Sequence, residues 1–133
     1  MDNEYKKEFD RWNFLKKKID SNNKKIFYHE REIWWSSLGV NIGSEEDGKN
    51  ELYERPILIV NGFGLEMCRI IPLTSKSKSD KFHFKINYLE NTEGYLILSQ
   101  MKTISTKRLT RKMCRLNKEQ FNTLKAQPRK DFN

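Results

Sequence analysis

Pro56 opens an unbroken apolar run, Ile57-Leu58-Ile59-Val60, and Asn61-Gly62 closes it. A run with no polar side to offer water reads as a strand buried on both faces. Proline at the first strand position costs no ladder hydrogen bond. Asn-Gly is the strongest short hairpin signal, so a return strand over Leu65 to Leu73 is expected. A chain built this way must wrap further structure around both sides of one central hairpin.

The rest of the sequence supplies that structure. Arg31-Glu32-Ile33-Trp34-Trp35 reads as a first strand, with Trp34 and Trp35 on opposite faces. Phe82 to Tyr88 alternates, with Phe82, Phe84, Ile86 and Tyr88 on one face, and Asn91-Thr92-Glu93-Gly94 turns the chain into Tyr95 to Gln100. Thr103 to Thr110 holds a short helical turn capped by Ser105, and Lys112 to Leu116 forms a last short strand. Asn117 is an N-cap with Gln120 as its capping-box partner, and Leu116 and Phe121 form the hydrophobic staple of a helix that ends before Pro128. At the other end, Tyr5, Phe9, Trp12, Leu15 and Ile19 recur at helical spacing within Asn3 to Asp20. Asp2 is positioned as its N-cap, and Lys16, Lys17 and Lys18 suit its C-terminal dipole. The polar stretch Ser21 to Lys25 then sets residues 1–25 apart as a helical extension of a domain spanning 26–133. The predicted fold is mainly β with flanking N- and C-terminal helices: a small antiparallel sheet curled into a partly open barrel.

Length and charge narrow the classes. A chain of 133 residues supports one core, and sixteen aromatics argue against disorder. Lys and Arg number 26 against 18 Asp and Glu, a net charge of +8 that favours a polyanionic partner: nucleic acid, an acidic protein or a membrane surface. No apolar stretch approaches a membrane span, and the charged N-terminus lacks a signal-peptide core. Cys68 and Cys114 are not in Cys-x-x-Cys spacing, so neither a zinc site nor a redox pair is expected; reduced cysteines fit a cytoplasmic protein.

Several segments, in order, resemble the MazF/PemK family of bacterial toxin endoribonucleases. They are Arg31-Glu32-Ile33-Trp34, Asn41-Ile42-Gly43-Ser44-Glu45, Arg55-Pro56 with the apolar run, Pro72-Leu73-Thr74-Ser75, and Leu98-Ser99-Gln100 followed by Lys107-Arg108-Leu109. The likeness covers about Glu30 to Leu116 and leaves the N-terminal helix outside. It implies a barrel of the CcdB/PemK type, a homodimer, metal-free cleavage of single-stranded mRNA, and an antitoxin whose C-terminal segment covers the RNA groove. It also implies that Arg55 and Thr74 form the active-site pair. The sequence departs from the family pattern through extra residues around Asn50 to Tyr53 and at Ser44, Ile97 and Ser99.

Such cleavage uses the RNA 2′-hydroxyl as nucleophile, so the protein must move protons and stabilise phosphoryl charge. Arg55 suits the second task because its planar fork binds two phosphate oxygens. The Thr74 hydroxyl can donate to a phosphate oxygen or orient the 2′-hydroxyl, and Glu45 is the candidate base. Ser75, Lys76, Lys78, Lys81, Gln100, Lys102, Lys107 and Arg108 are the candidate RNA contacts, with Phe63 or Trp35 available to stack a base. His29 and His83 offer another acid-base inventory. Two further readings stand beside this one: a non-catalytic toxin of the same fold that binds a protein target such as DNA gyrase, and a nucleic-acid-binding module without catalysis. No cofactor is expected.

Overall fold

The computed structural model describes residues 9–20, 25–38, 54–76 and 81–127. Helix α1 (Phe9–Asp20) precedes strands β1 (Glu32–Ser37), β2 (Glu54–Phe63) and β3 (Met67–Thr74). Strands β4 (His83–Tyr88), β5 (Thr92–Ile97), β6 (Lys102–Ser105) and β7 (Leu109–Arg115) follow, with 3-10 turns at Leu98–Gln100 and Thr106–Arg108. Helix α2 (Lys118–Lys125) comes last. The strands pair antiparallel in the order β4-β5-β3-β2-β1-β7, and β6 pairs with β3. No helix among the described residues is long and apolar enough to cross a membrane.

The apolar run forms the centre of β2, and Ile57, Leu58, Ile59 and Val60 are all fully buried. Alternation sends their side chains into two cores, one on each face. Leu58 and Val60 join Ile33, Ile71, Leu73, Ile86 and Leu96 under α2, which adds Phe121 and Leu124. Ile57 and Ile59 join Trp34, Leu38, Cys68, Ile70, Ile104 and Leu109, with Ile26 and Tyr28 packed against them. The β3 edge is divided: β6 takes Met67 to Ile70, and β5 takes Leu73 and Thr74. This division curls the sheet into a partly open barrel. Cys68 and Cys114 are free thiols. Burial pushes the Cys68 thiol up to about 12, so it is a packing residue rather than a nucleophile.

Local signals hold in some places and yield in others. The central hairpin does not turn at Asn61-Gly62. Both residues remain in β2, paired with Arg69 and Cys68, after a register shift that follows Ile59. The turn lies at Gly64 to Glu66, where Gly64 takes φ +77°. Tertiary packing overrides the dipeptide preference. A Cβ on Gly62 would lie 2.8 Å from the Tyr28 Oη, so glycine here admits the ring rather than making a turn. The Tyr28 hydroxyl in turn is shared between the carbonyls of Gly64 and Met67. The β4–β5 turn also comes earlier than expected, with Asn91 at φ +53°, and Thr92 to Gly94 are already strand.

Ser105 does cap its 3-10 turn, accepting from the Lys107 N–H. Asn117 caps α2 by accepting from the Gln120 N–H at 2.8 Å. Gln120 does not close the capping box. Its amide makes a reciprocal pair with the Asn87 backbone, both bonds at 2.7 Å, and so ties α2 to β4. In α1, Trp12 is buried with Leu15 and Ile19 against it. The helix rests on the Thr106–Arg108 turn. Asp2 and Tyr5 lie outside the described residues.

Candidate active site

The site grows from register. Ser36 in β1 faces Arg55 in β2. Ile57 faces Pro72 in β3 at the end of that ladder, and carrying the register on by two residues sets Arg55 opposite Thr74. Opposed residues of antiparallel strands project from the same face, and adjacent strands lie about 4.8 Å apart. Ser36, Arg55 and Thr74 therefore form a row across three neighbouring strands, on the face that carries Ile57 and Ile59.

Arg55 is 6% exposed, and its Nη1 donates to the Leu73 carbonyl at 3.1 Å. The guanidinium is thus held against the peptide that leads into Thr74. Thr74 is half-buried at the end of β3, and its Oγ1 accepts from the Lys76 N–H at 3.2 Å. That bond shapes the chain end and leaves the hydroxyl hydrogen to donate elsewhere. Ser36 is fully buried, and its Oγ has no hydrogen-bond partner among the described residues. A buried hydroxyl without a partner costs about 1–3 kcal/mol, so its presence beside the arginine needs a reason.

The neighbouring carboxylate takes no part in this row. Glu54, 1% exposed, projects to the other face, where Thr110 Oγ1 and Arg111 Nη1 donate to it. The Arg111 guanidinium also lies 4.9 Å from the Trp35 ring, so one face of that indole is already covered. Glu45 lies outside the described residues, as does Lys78.

The other candidates divide by surroundings. Ser75 and Lys76 are exposed beside Thr74. Lys81 is exposed, with its Nζ 5.2 Å from the Phe82 ring, and Gln100 is half-buried at the end of its 3-10 turn. His29 pairs with Glu32 at 3.4 Å, and His83 is half-buried at the start of β4. Phe63 is 49% exposed close to the hairpin tip.

The late basic stretch is less bare than its sequence. Lys112 pairs with Glu32 at 3.1 Å, Arg111 with Glu54 at 3.0 Å, and Lys107 lies 3.9 Å from Asp20. Lys107 also donates to the Asp20 carbonyl at 2.7 Å, closing the C-terminus of α1. Arg108 donates to the Ser37 carbonyl at 3.2 Å and lies 5.6 Å from the Trp12 ring. Burial lowers the pKa of its guanidinium. Between α1 and this turn is a cavity of about 370 Å³ lined by Lys16, Lys17, Lys107 and Arg108, among others. A second, of about 290 Å³, lies beyond Arg108 and is lined by Lys102 and Leu38. Among the described residues no group of three His, Cys, Asp or Glu side chains could hold a metal ion.

The family model for "PemK-like, MazF-like toxin of type II toxin-antitoxin system" matches residues 29–129. The chain belongs to this family. Helix α1 precedes the matched region. Among solved structures, the "Mycobacterium tuberculosis toxin MazF-mt6" aligns with a TM-score of 0.54 at 18% identity, covering 71% of this chain and 88% of that one. At that identity the likeness establishes the fold alone. A second, titled "Crystal structure of Mtb toxin", gives a TM-score of 0.47 at 20% identity over 53% of this chain and 84% of that one. No curated protein matches the chain.

Ser36 is the site member that sequence reasoning passed over. Its signal was present: Trp34, Ser36 and Leu38 share one face of β1, and a serine between two apolar residues breaks the pattern of that face. Lys16 and Lys17 were read as dipole partners of α1, and only the packing of the helix reveals the cavity they line.

Proposed function

We propose that this MazF-like toxin is an endoribonuclease that cleaves single-stranded RNA with the substrate's own 2′-hydroxyl as nucleophile. The observation that carries the reading is the Arg55–Leu73 hydrogen bond, which holds a desolvated guanidinium against the peptide leading into Thr74. In the reaction the 2′-oxygen forms a bond to phosphorus and the bond to the 5′-oxygen breaks. One proton leaves the 2′-hydroxyl and another reaches the departing 5′-oxygen, giving a 2′,3′-cyclic phosphate and a 5′-hydroxyl. Arg55 stabilises the charge that develops on the phosphoryl oxygens, and it does so best where water is scarce. Thr74 donates to a phosphoryl oxygen or orients the 2′-hydroxyl. Glu45 takes the first proton. Because the nucleophile belongs to the substrate, no metal-activated water is required.

Residues 26–133 form the catalytic unit in this reading, with residues 1–25 as an extension; the family match over residues 29–129 supports the division. The unit works as a homodimer on RNA in the cytoplasm. An antitoxin partner follows from the type II toxin–antitoxin family. Ser75, Lys76, Lys78, Lys81, Gln100 and Lys102 hold RNA near Thr74, through charge at the lysines and hydrogen bonds at the others.

The test is incubation of the purified protein with single-stranded RNA in excess EDTA, followed by analysis of the fragment ends. Cyclic phosphate ends that vanish in Arg55→Ala support the reading. RNA that remains intact with the unaltered protein overturns it.

A further inference from the structure

Helix α1 lies outside the family match, yet its C-terminal half forms one wall of a strongly cationic recess. Four cations, Lys16, Lys17, Lys107 and Arg108, line the larger cavity, against one carboxylate, Asp20, whose partner is Lys107. Ser105 and Arg108 also line the smaller cavity, where Lys102 adds a further cation. Arg108 is therefore the shared wall of two recesses.

Its bonding is incomplete for such a place. Of five N–H donors on a guanidinium, one is accounted for by the Ser37 carbonyl, and the remaining contact is the Trp12 ring. No carboxylate partners it among the described residues. A half-buried guanidinium without a counter-charge is costly, and an anion entering either cavity would meet it directly.

Position selects the kind of anion. Ser37, which holds Arg108, follows Ser36, the register partner of Arg55. Leu38, on the same face as Ser36, lines the smaller cavity. At about 3.3 Å per strand residue, the recess begins within about 7 Å of the Ser36–Arg55–Thr74 row. A phosphodiester chain seated on Arg55 brings its neighbouring phosphates there. Recesses of this volume suit nucleotide-sized groups rather than a protein helix.

We propose that the α1 cleft binds flanking phosphates of the same single-stranded RNA, with Arg108 at its centre and Lys16, Lys17 and Lys102 on its rim. The added helix thereby lengthens the RNA track of the family body. This rests on the ribonuclease reading only for the identity of the strand. Lys107 anchors α1 through Asp20 and takes no phosphate.

The experiment measures binding of a short 2′-O-methyl single-stranded oligonucleotide, which cannot be cleaved, by fluorescence anisotropy across a salt series. The full chain is compared with Lys16→Gln/Lys17→Gln, which preserves helix propensity on exposed positions, and with Arg108→Gln. The double variant should bind about tenfold more weakly at low salt, and the slope of log affinity against log salt should shrink by about 1.4, two contacts at about 0.7 each. Arg108→Gln should weaken binding further; if that variant fails to fold, the lysine pair still decides. Unchanged affinity and slope in the double variant overturn the inference, even if the protein cleaves RNA. Binding that is lost in the variant while the unaltered protein never cleaves supports the cleft and removes the nuclease reading. A double variant that binds the oligonucleotide normally but loses an oligoglutamate peptide assigns the cleft to an acidic protein segment, which also overturns it. An unaltered protein that binds no oligonucleotide overturns both.

Discussion

Arg55 Nη1 donates to the Leu73 carbonyl at 3.1 Å, which fixes the guanidinium beside the peptide leading into Thr74. The bond matters because a buried arginine can be aimed only if something holds it. It also limits substitution. Arg55→Lys keeps a positive charge but loses the planar fork, and its single ammonium cannot hold Leu73 and two phosphoryl oxygens together. Cleavage of single-stranded RNA should fall by at least about a hundredfold, the scale of losing one preorganised donor. Initial rates in EDTA measure it, and a lysine variant within a few-fold of the parent would remove Arg55 from the chemistry.

Thr74 divides hydroxyl from shape. Thr74→Val keeps the β-branched outline at the end of β3 and removes the oxygen that accepts from Lys76. Thr74→Ser keeps the oxygen. The valine variant should lose about a hundredfold in rate, and the serine variant should stay within about tenfold. Equal losses in both variants would show that the methyl group, and hence packing, is what Thr74 contributes.

Ser36 makes a prediction of opposite sign for stability. Its hydroxyl is fully buried without a partner among the described residues, so Ser36→Ala removes a desolvated group and a small volume together. The variant should be more stable by about 1 kcal/mol, a rise of about 4 °C in Tm for a chain of this size. RNA cleavage should fall in the same variant, because the row beside Arg55 loses a polar member. A lower Tm in thermal denaturation would mean that the oxygen already has a partner.

The sequence carried the central strand and the capped helix because each is written locally. Ile57 to Val60 has no side on which water is tolerable, and Asn117 sits three residues before the N–H it captures. What failed was decided by distant residues. Asn61-Gly62 is an ordinary hairpin signal until Tyr28 packs against Gly62. Gln120 reads as a capping-box partner until Asn87 offers both its backbone groups. In each case a tertiary bond outbids a local rule of smaller energy.

Glu32 ties the acid sensitivity of the fold to β1 and β7. The side chain is 4% exposed; Oε1 accepts from the Trp34 indole and the His29 N–H, both at 2.9 Å, and Oε2 lies 3.1 Å from Lys112 Nζ. Burial acts to raise its pKa, but the hydrogen bonds from Trp34, His29 and Lys112 outweigh it and leave the carboxyl below its usual 4.5. A carboxylate with a depressed native pKa adds stability that is fully present above the unfolded value. That stability is lost as pH falls through the native one. Thermal denaturation between neutral pH and about pH 3 should therefore show Tm falling below pH 4.5. In Glu32→Gln the neutral-pH Tm should be lower and that part of the acid limb flatter, since an amide binds no proton over this range. The difference between the two curves isolates Glu32 from the other carboxylates. Parallel curves would show that Glu32 binds protons alike in the folded and unfolded chain, and that its three donors add nothing specific to the charged form.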